Sequence, residues 1–240
     1  LYDQLIPFEN AYRAVFNKYN LDCSIELLFV RSRYYSDQVF ELVNEGKMDK
    51  REMQIYRISK AFESLGIDIS REEACLFQAY YKENQQQIVV HSEMKRLLDV
   101  AHSLGIKLGI ITNGPAEHQA RKVKQLALRD WMSEKHIFIS GKLGISKPDS
   151  KIFKHVEDFM GLLSKETYYF GDSFNNDVIG AKKSGWKAVW VNRRKQSIPS
   201  HTQYSPDYII DDTHSPMAVM REILAQHNSH HKFTIFKSTL

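Results

Sequence analysis

The sequence predicts an α/β fold, a doubly wound parallel sheet over residues 89–226, preceded by a four-helix cap at 1–88. Three observations predict it. From Ser92 onward, short apolar runs alternate with amphipathic helical stretches, the pattern of a parallel sheet covered on both faces. The first 86 or so residues hold no convincing strand. Polar clusters then fall where three of the apolar runs end, which is where open α/β sheets bind their ligands.

In the cap, Phe8, Tyr12, Val15 and Phe16 recur at helical spacing, and Pro7 suits a first turn. Ser24 is placed to cap a second helix carrying Ile25, Leu28, Phe29, Tyr35, Val39, Phe40 and Val43, which Glu45-Gly46-Lys47 breaks. A third runs through Met53, Ile55, Tyr56, Ile58, Ala61, Phe62 and Leu65 to Gly66. Ser70 with Glu73 has the spacing of a capping box for a fourth helix through Tyr81. Beyond the cap, a helix (Met94, Leu97, Leu98, Ala101) leads into strand 107–111 and helix 117–128. Strand 136–139, helix 151–160, strand 167–170 and helix 175–183 follow. Strands 188–191 and 208–210 and a helix over 216–225 complete the set. Residues 227–240 are expected to be a tail. Phe233-Thr234-Ile235-Phe236 has strand character, but an irregular tail is the preferred reading.

Composition narrows the function. The chain has 240 residues, 42% hydrophobic and 26% charged, with a net charge of +4, which describes a globular protein able to bury a sizeable core. The mild positive charge suits an anionic small molecule, and no basic stripe with interleaved aromatics argues for nucleic acid. No apolar run approaches the roughly 20 residues of a membrane-spanning helix. The two cysteines, Cys23 and Cys75, read as buried thiols of a cytoplasmic protein. Monomer and homodimer stay open.

Three clusters carry the chemistry. Thr112-Asn113-Gly114 ends a strand with a hydroxyl and a flexible backbone whose N–H groups can cradle phosphate oxygens, although Asn-Gly is also a plain turn pair. Lys147 precedes Pro148 in backbone that resists helix entry, so its ammonium can face a site, although most lysines are surface groups. Gly171-Asp172 ends a buried strand and Asp177 follows a turn into the next helix. Two carboxylates so placed suit Mg²⁺, which takes oxygen ligands and keeps several waters. Helix capping accounts for each acid alone, but not for the Gly-Asp pair at a strand end.

Taken in order, Thr112, Lys147 and Asp172 with Asp177 resemble the second, third and fourth motifs of the haloacid dehalogenase superfamily, over roughly residues 1–226. The resemblance implies a Rossmann-like core with a subfamily I helical cap, and Gly46-Lys47-Met48-Asp49 with Arg57 is similar to its nucleotidase-type branch. It also implies a Mg²⁺-dependent phosphatase acting on a small phosphorylated metabolite or nucleotide through an aspartyl-phosphate. Lys147 and Thr112 would be catalytic, and Thr112, Asn113, Gly114 and Lys147 would hold the phosphate. Asp172 and Asp177 would hold the metal, and cap closure would exclude water. The family's first motif, Asp-x-Asp-x-Thr, carries the nucleophile on a central strand. Leu1-Tyr2-Asp3 resembles the residues just after it, so that strand and its Asp are expected ahead of Leu1. If Phe233–Phe236 filled the central gap instead, Lys237 and Ser238 would stand where acids are required. The alternatives are a catalytically inactive binding module, a phosphomutase, or a metal-free 2-haloacid dehalogenase, against which Gly171-Asp172 with Asp177 argues.

Overall fold

The computed structural model describes residues 5–19, 24–39, 42–43, 45–85, 88–193, 195–200, 202–227 and 233–238. Expectations placed on Leu1-Tyr2-Asp3, Cys23, Phe40 and 228–231 lie outside these residues. The chain divides into two compact units between Ile88 and Val89.

The first unit is helical: α1 (Leu5–Phe16), α2 (Ile25–Gln38), α3 (Lys50–Glu63) and α4 (Arg71–Asn84). Each start has a local cause. Ser24 accepts from Leu27 N, Asp49 from Arg51 N, and Ser70 with Glu73 forms a complete capping box. The apolar faces meet in an aromatic core in which Phe8 sits edge-on to Phe77 with centroids 5.0 Å apart, and Phe16 packs on Phe62 at 4.5 Å. Cys75, half-buried, is a free thiol.

The second unit begins with α5 (Ser92–Ser103) and β1 (Lys107–Thr112), then α6 (Ala116–Gln125), β2 (Ile137–Ile139), α7 (Ser140–Leu143) and α8 (Ser150–Met160). It continues through β3 (Thr167–Gly171), a π-helical turn (Phe174–Ile179), α9 (Gly180–Lys183), β4 (Lys187–Val191), β5 (Tyr208–Ile210), α10 (Pro216–Gln226) and β6 (Thr234–Ser238). The strands form one parallel sheet in the order β2-β1-β6-β3-β4-β5.

One expectation is overturned here. Instead of an irregular tail, Thr234–Ser238 is the central strand, paired along its length with β1 and β3. Burial explains the choice. Phe233, Thr234, Ile235, Phe236, Lys237 and Ser238 are all buried, and β6 satisfies the facing edges of β1 and β3 that would otherwise lie open. The fit is specific. Phe236 lies over Gly109 of β1, where an added Cβ would sit 2.4 Å from its ring, and its other side meets Trp186 with centroids 5.1 Å apart. A glycine inside a strand commonly marks such a close approach.

Candidate functional site

The site is built at the carboxyl ends of β1, β6 and β3, with Lys147 arriving from the segment between α7 and α8. Lys147 is 4% exposed, and its Nζ donates to Tyr169 Oη at 2.8 Å, Asp177 Oδ1 at 2.7 Å and Ser238 Oγ at 2.7 Å. An ammonium has three N–H donors, so all three are used. Tyr169 passes its own hydroxyl proton to the Ile111 carbonyl at 3.0 Å, tying β3 to β1.

Asp177 is 1% exposed, and its Oδ2 accepts from Ser173 N at 3.0 Å. Its position explains Gly171: a Cβ there would lie 2.2 Å from Asp177 Cβ. The α-helix expected over 175–183 is instead π-helical up to Ile179. That widened turn carries the Asp177 side chain back over the strand end. Burial pushes the Asp177 carboxyl above the usual range and the charge of Asp172 adds to this, while the Lys147 ammonium opposes both.

Asn113 and Gly114 meet the protein itself. Asn113 Nδ2 donates to Lys147 O at 2.8 Å and its Oδ1 accepts from Lys147 N at 3.0 Å, a reciprocal clamp that fixes the lysine backbone. The Asn113 carbonyl accepts from Gln119 Nε2 at 2.9 Å. Gly114 N donates to Ser140 Oγ at 2.9 Å, so the free backbone donor expected there is already engaged. Thr112 closes β1 fully buried. The structure thus brings Lys147 and Asp177 into direct contact, fastens Asn113 to Lys147, and turns the Gly114 amide toward Ser140.

Asp172, at the end of β3, is partly exposed, and its carbonyl accepts from Trp190 Nε1 at 3.2 Å. Across the end of β6, Lys237 is 4% exposed, with no hydrogen-bond partner for its Nζ among the described residues. Burial lowers its pKa to about 8, against the favourable charge of Asp172. This donor set does not fit Mg²⁺. Asp177 is committed to Lys147 and to a backbone amide, and an ammonium stands near Asp172. No group of three acidic, imidazole or thiol side chains converges among the described residues.

Sequence reasoning missed Tyr169 and Ser140 as parts of the network. For Tyr169 the signal was a hydroxyl on the same strand face as the site, two residues before Gly171. Nothing local marked Ser140, which acts through a contact 26 residues away.

Residues 37–191 match the model of the haloacid dehalogenase-like hydrolases. The chain belongs to this family. It is 31% identical over 137 residues to a phosphoserine phosphatase of Thermus thermophilus, covering 57% of this chain and 53% of that protein. It is 32% identical over 122 residues to a glyceraldehyde 3-phosphate phosphatase of Methanopyrus kandleri, covering 50% and 52%. The chain spans about half the length of these curated relatives. Among solved structures, the HAD-hydrolase YfnB of Bacillus subtilis, bound to magnesium, matches over 95% of this chain and 93% of its own, with a TM-score of 0.63 and 22% identity. That likeness carries the fold: a parallel sheet with an accompanying helical unit. No described helix is long and apolar enough to cross a membrane.

Proposed function

We propose that the site is of phosphatase type and holds the phosphoryl group of a small phosphate monoester. The observation that carries this reading is the Lys147 ammonium, held by Asp177 and Tyr169 and pointed at a single replaceable oxygen, Ser238 Oγ. A phosphoryl oxygen taking the place of that hydroxyl gains a charge-assisted hydrogen bond. Thr112, at the end of the adjacent strand, is the second anchor. The names of the curated relatives, phosphoserine phosphatase and glyceraldehyde 3-phosphate phosphatase, support the substrate class.

In this reading the described residues bind the ester and do not cleave it. Covalent hydrolysis needs a nucleophile at the end of the central strand, and an aspartyl-phosphate needs a carboxylate there. Lys237 and Ser238 occupy that strand end. Mg²⁺ would need the same carboxylate beside Asp172, so no step is assigned to it. The second reading, hydrolysis by a Mg²⁺-dependent phosphatase through an aspartyl-phosphate, is favoured by the phosphatase relatives and requires an Asp from outside the described residues.

One experiment separates the two. The protein is titrated with inorganic phosphate by calorimetry, then assayed on a generic aryl phosphate with Mg²⁺ and with excess chelator. A saturable phosphate-binding event that is lost in Lys147→Met and kept in Arg57→Met, with no turnover in either condition, is expected. Turnover that needs Mg²⁺ would establish the hydrolytic reading, and absence of phosphate binding would overturn both.

A further inference from the structure

The helical unit holds two arginines, Arg57 buried and Arg33 half-buried, that no acid among the described residues answers. Arg57 of α3 is 8% exposed, and among the described residues its one hydrogen bond runs from Nη2 to Gln78 Oε1 of α4 at 3.0 Å. Arg33 of α2 donates from Nη2 to the Tyr81 hydroxyl. The two guanidinium carbons lie over the Tyr81 ring, each 5.7 Å from its centroid, and Arg33 also lies 4.9 Å over Phe29. Neither arginine forms an ion pair among the described residues. The influences on Arg57 are burial, the like charge of Arg33, and Tyr81, and together they lower its pKa to about 9. Two further donors at the cluster, Arg33 Nε and Gln78 Nε2, are buried without a hydrogen-bond partner among the described residues.

A buried charge is ordinarily paired, and like charges brought together out of water raise its cost. Stacking on Tyr81 returns only part of that cost. What the cluster offers is a surplus of donors from three helices and two positive charges, with Arg33 partly exposed as the approach. A planar guanidinium fork matches the paired oxygens of a carboxylate or phosphate.

We infer that Arg33, Arg57 and Gln78 form a second anion site, inside the helical unit, for the carboxylate or phosphoryl group of a small molecule. The inference stands apart from the strand-end site and does not require it.

The test uses the full chain with inorganic phosphate and with acetate as probes, at ionic strength matched with chloride, read by thermal shift and calorimetry. The expected result is a saturable response that persists in Lys147→Met and weakens at least tenfold in Arg57→Met and Arg33→Met. Acetate acting as well as phosphate assigns a carboxylate, and phosphate acting alone assigns a phosphoryl group. A response left intact by both arginine substitutions, or lost in Lys147→Met alone, overturns the inference. Should Arg57→Met fail to fold, the Nε–H resonance of Arg33 in the unmodified protein decides. It shifts on phosphate addition if the site exists, and stays put at saturating phosphate if it does not.

Discussion

Lys147 Nζ lies 2.7 Å from Ser238 Oγ, a contact between residues 91 positions apart that closes the carboxyl end of the central strand. The hydroxyl fills the third donor of an ammonium whose other two are held by Asp177 and Tyr169. It therefore competes with any oxyanion seeking that lysine.

Replacing Ser238 by Ala is expected to tighten phosphate binding several-fold, because the anion no longer displaces a hydroxyl. The same change leaves a buried N–H unpaired in the unliganded protein, costing about 1–3 kcal/mol. Calorimetry with phosphate and a denaturation curve check the two effects, which have opposite consequences for bound and free protein. Unchanged affinity would show that Ser238 does not guard Lys147.

A carboxylate placed at the end of β6, beside Asp172, would give a divalent ion the oxygen ligands that the described residues lack. The Lys237→Asp variant is therefore expected to gain a Mg²⁺-dependent rise in melting temperature, whereas the parent protein responds to Mg²⁺ no more than to matched NaCl. Lys237→Met, which removes a buried charge without a hydrogen-bond partner among the described residues, is expected to raise stability by about 1–3 kcal/mol, in line with apolar replacement of other buried ionic groups.

Phe236 over Gly109 is a test of where β6 sits. Gly109→Ala puts a methyl 2.4 Å from the ring and is expected to cost about 1–3 kcal/mol by overpacking. In a Phe236→Leu background the cost of the same substitution is expected to fall well below that. Strictly additive effects in the double-mutant cycle would mean that the two residues do not touch.

The helical unit carries its own acid sensitivity. Glu73 is held at a pKa of about 2, first by the Lys18 ammonium and then by the Ser70 amide, against an ordinary value of 4.5. Because the folded value is the lower one, its contribution is full above about pH 4.5 and is lost as pH falls toward 2. Glu73→Gln is expected to flatten that part of the stability–pH profile, measured by denaturant titration at each pH.

Periodicity placed nearly every helix and strand, since alternating amphipathic helices and apolar strands fix layers through burial alone. That Lys147 and Asp177 would meet was legible because strand ends gather polar residues from distant parts of the chain. The seat of β6 was not. Phe233–Phe236 has strand character but was expected to lie in an irregular tail, because its place depends on Gly109 and Trp186, whose shape matters only in three dimensions. The π turn at Phe174–Ile179 was equally hidden, being a product of how Asp177 folds over Gly171. The clamp between Asn113 and Lys147 was hidden too, because Asn-Gly reads as a turn whatever its side chain holds.

The strand in the middle of the sheet comes after the other five described strands in chain order. While the chain emerges, β1–β2 and β3–β4–β5 form two separate half-sheets, each with an unpaired inner edge, until Thr234–Ser238 is released and slides between them. Closure of the sheet thus waits for a segment that follows the other five strands in the chain. From the completion of β3 until β6 arrives the chain carries two sticky edges, and this is the interval in which a chaperone would have the most to cover.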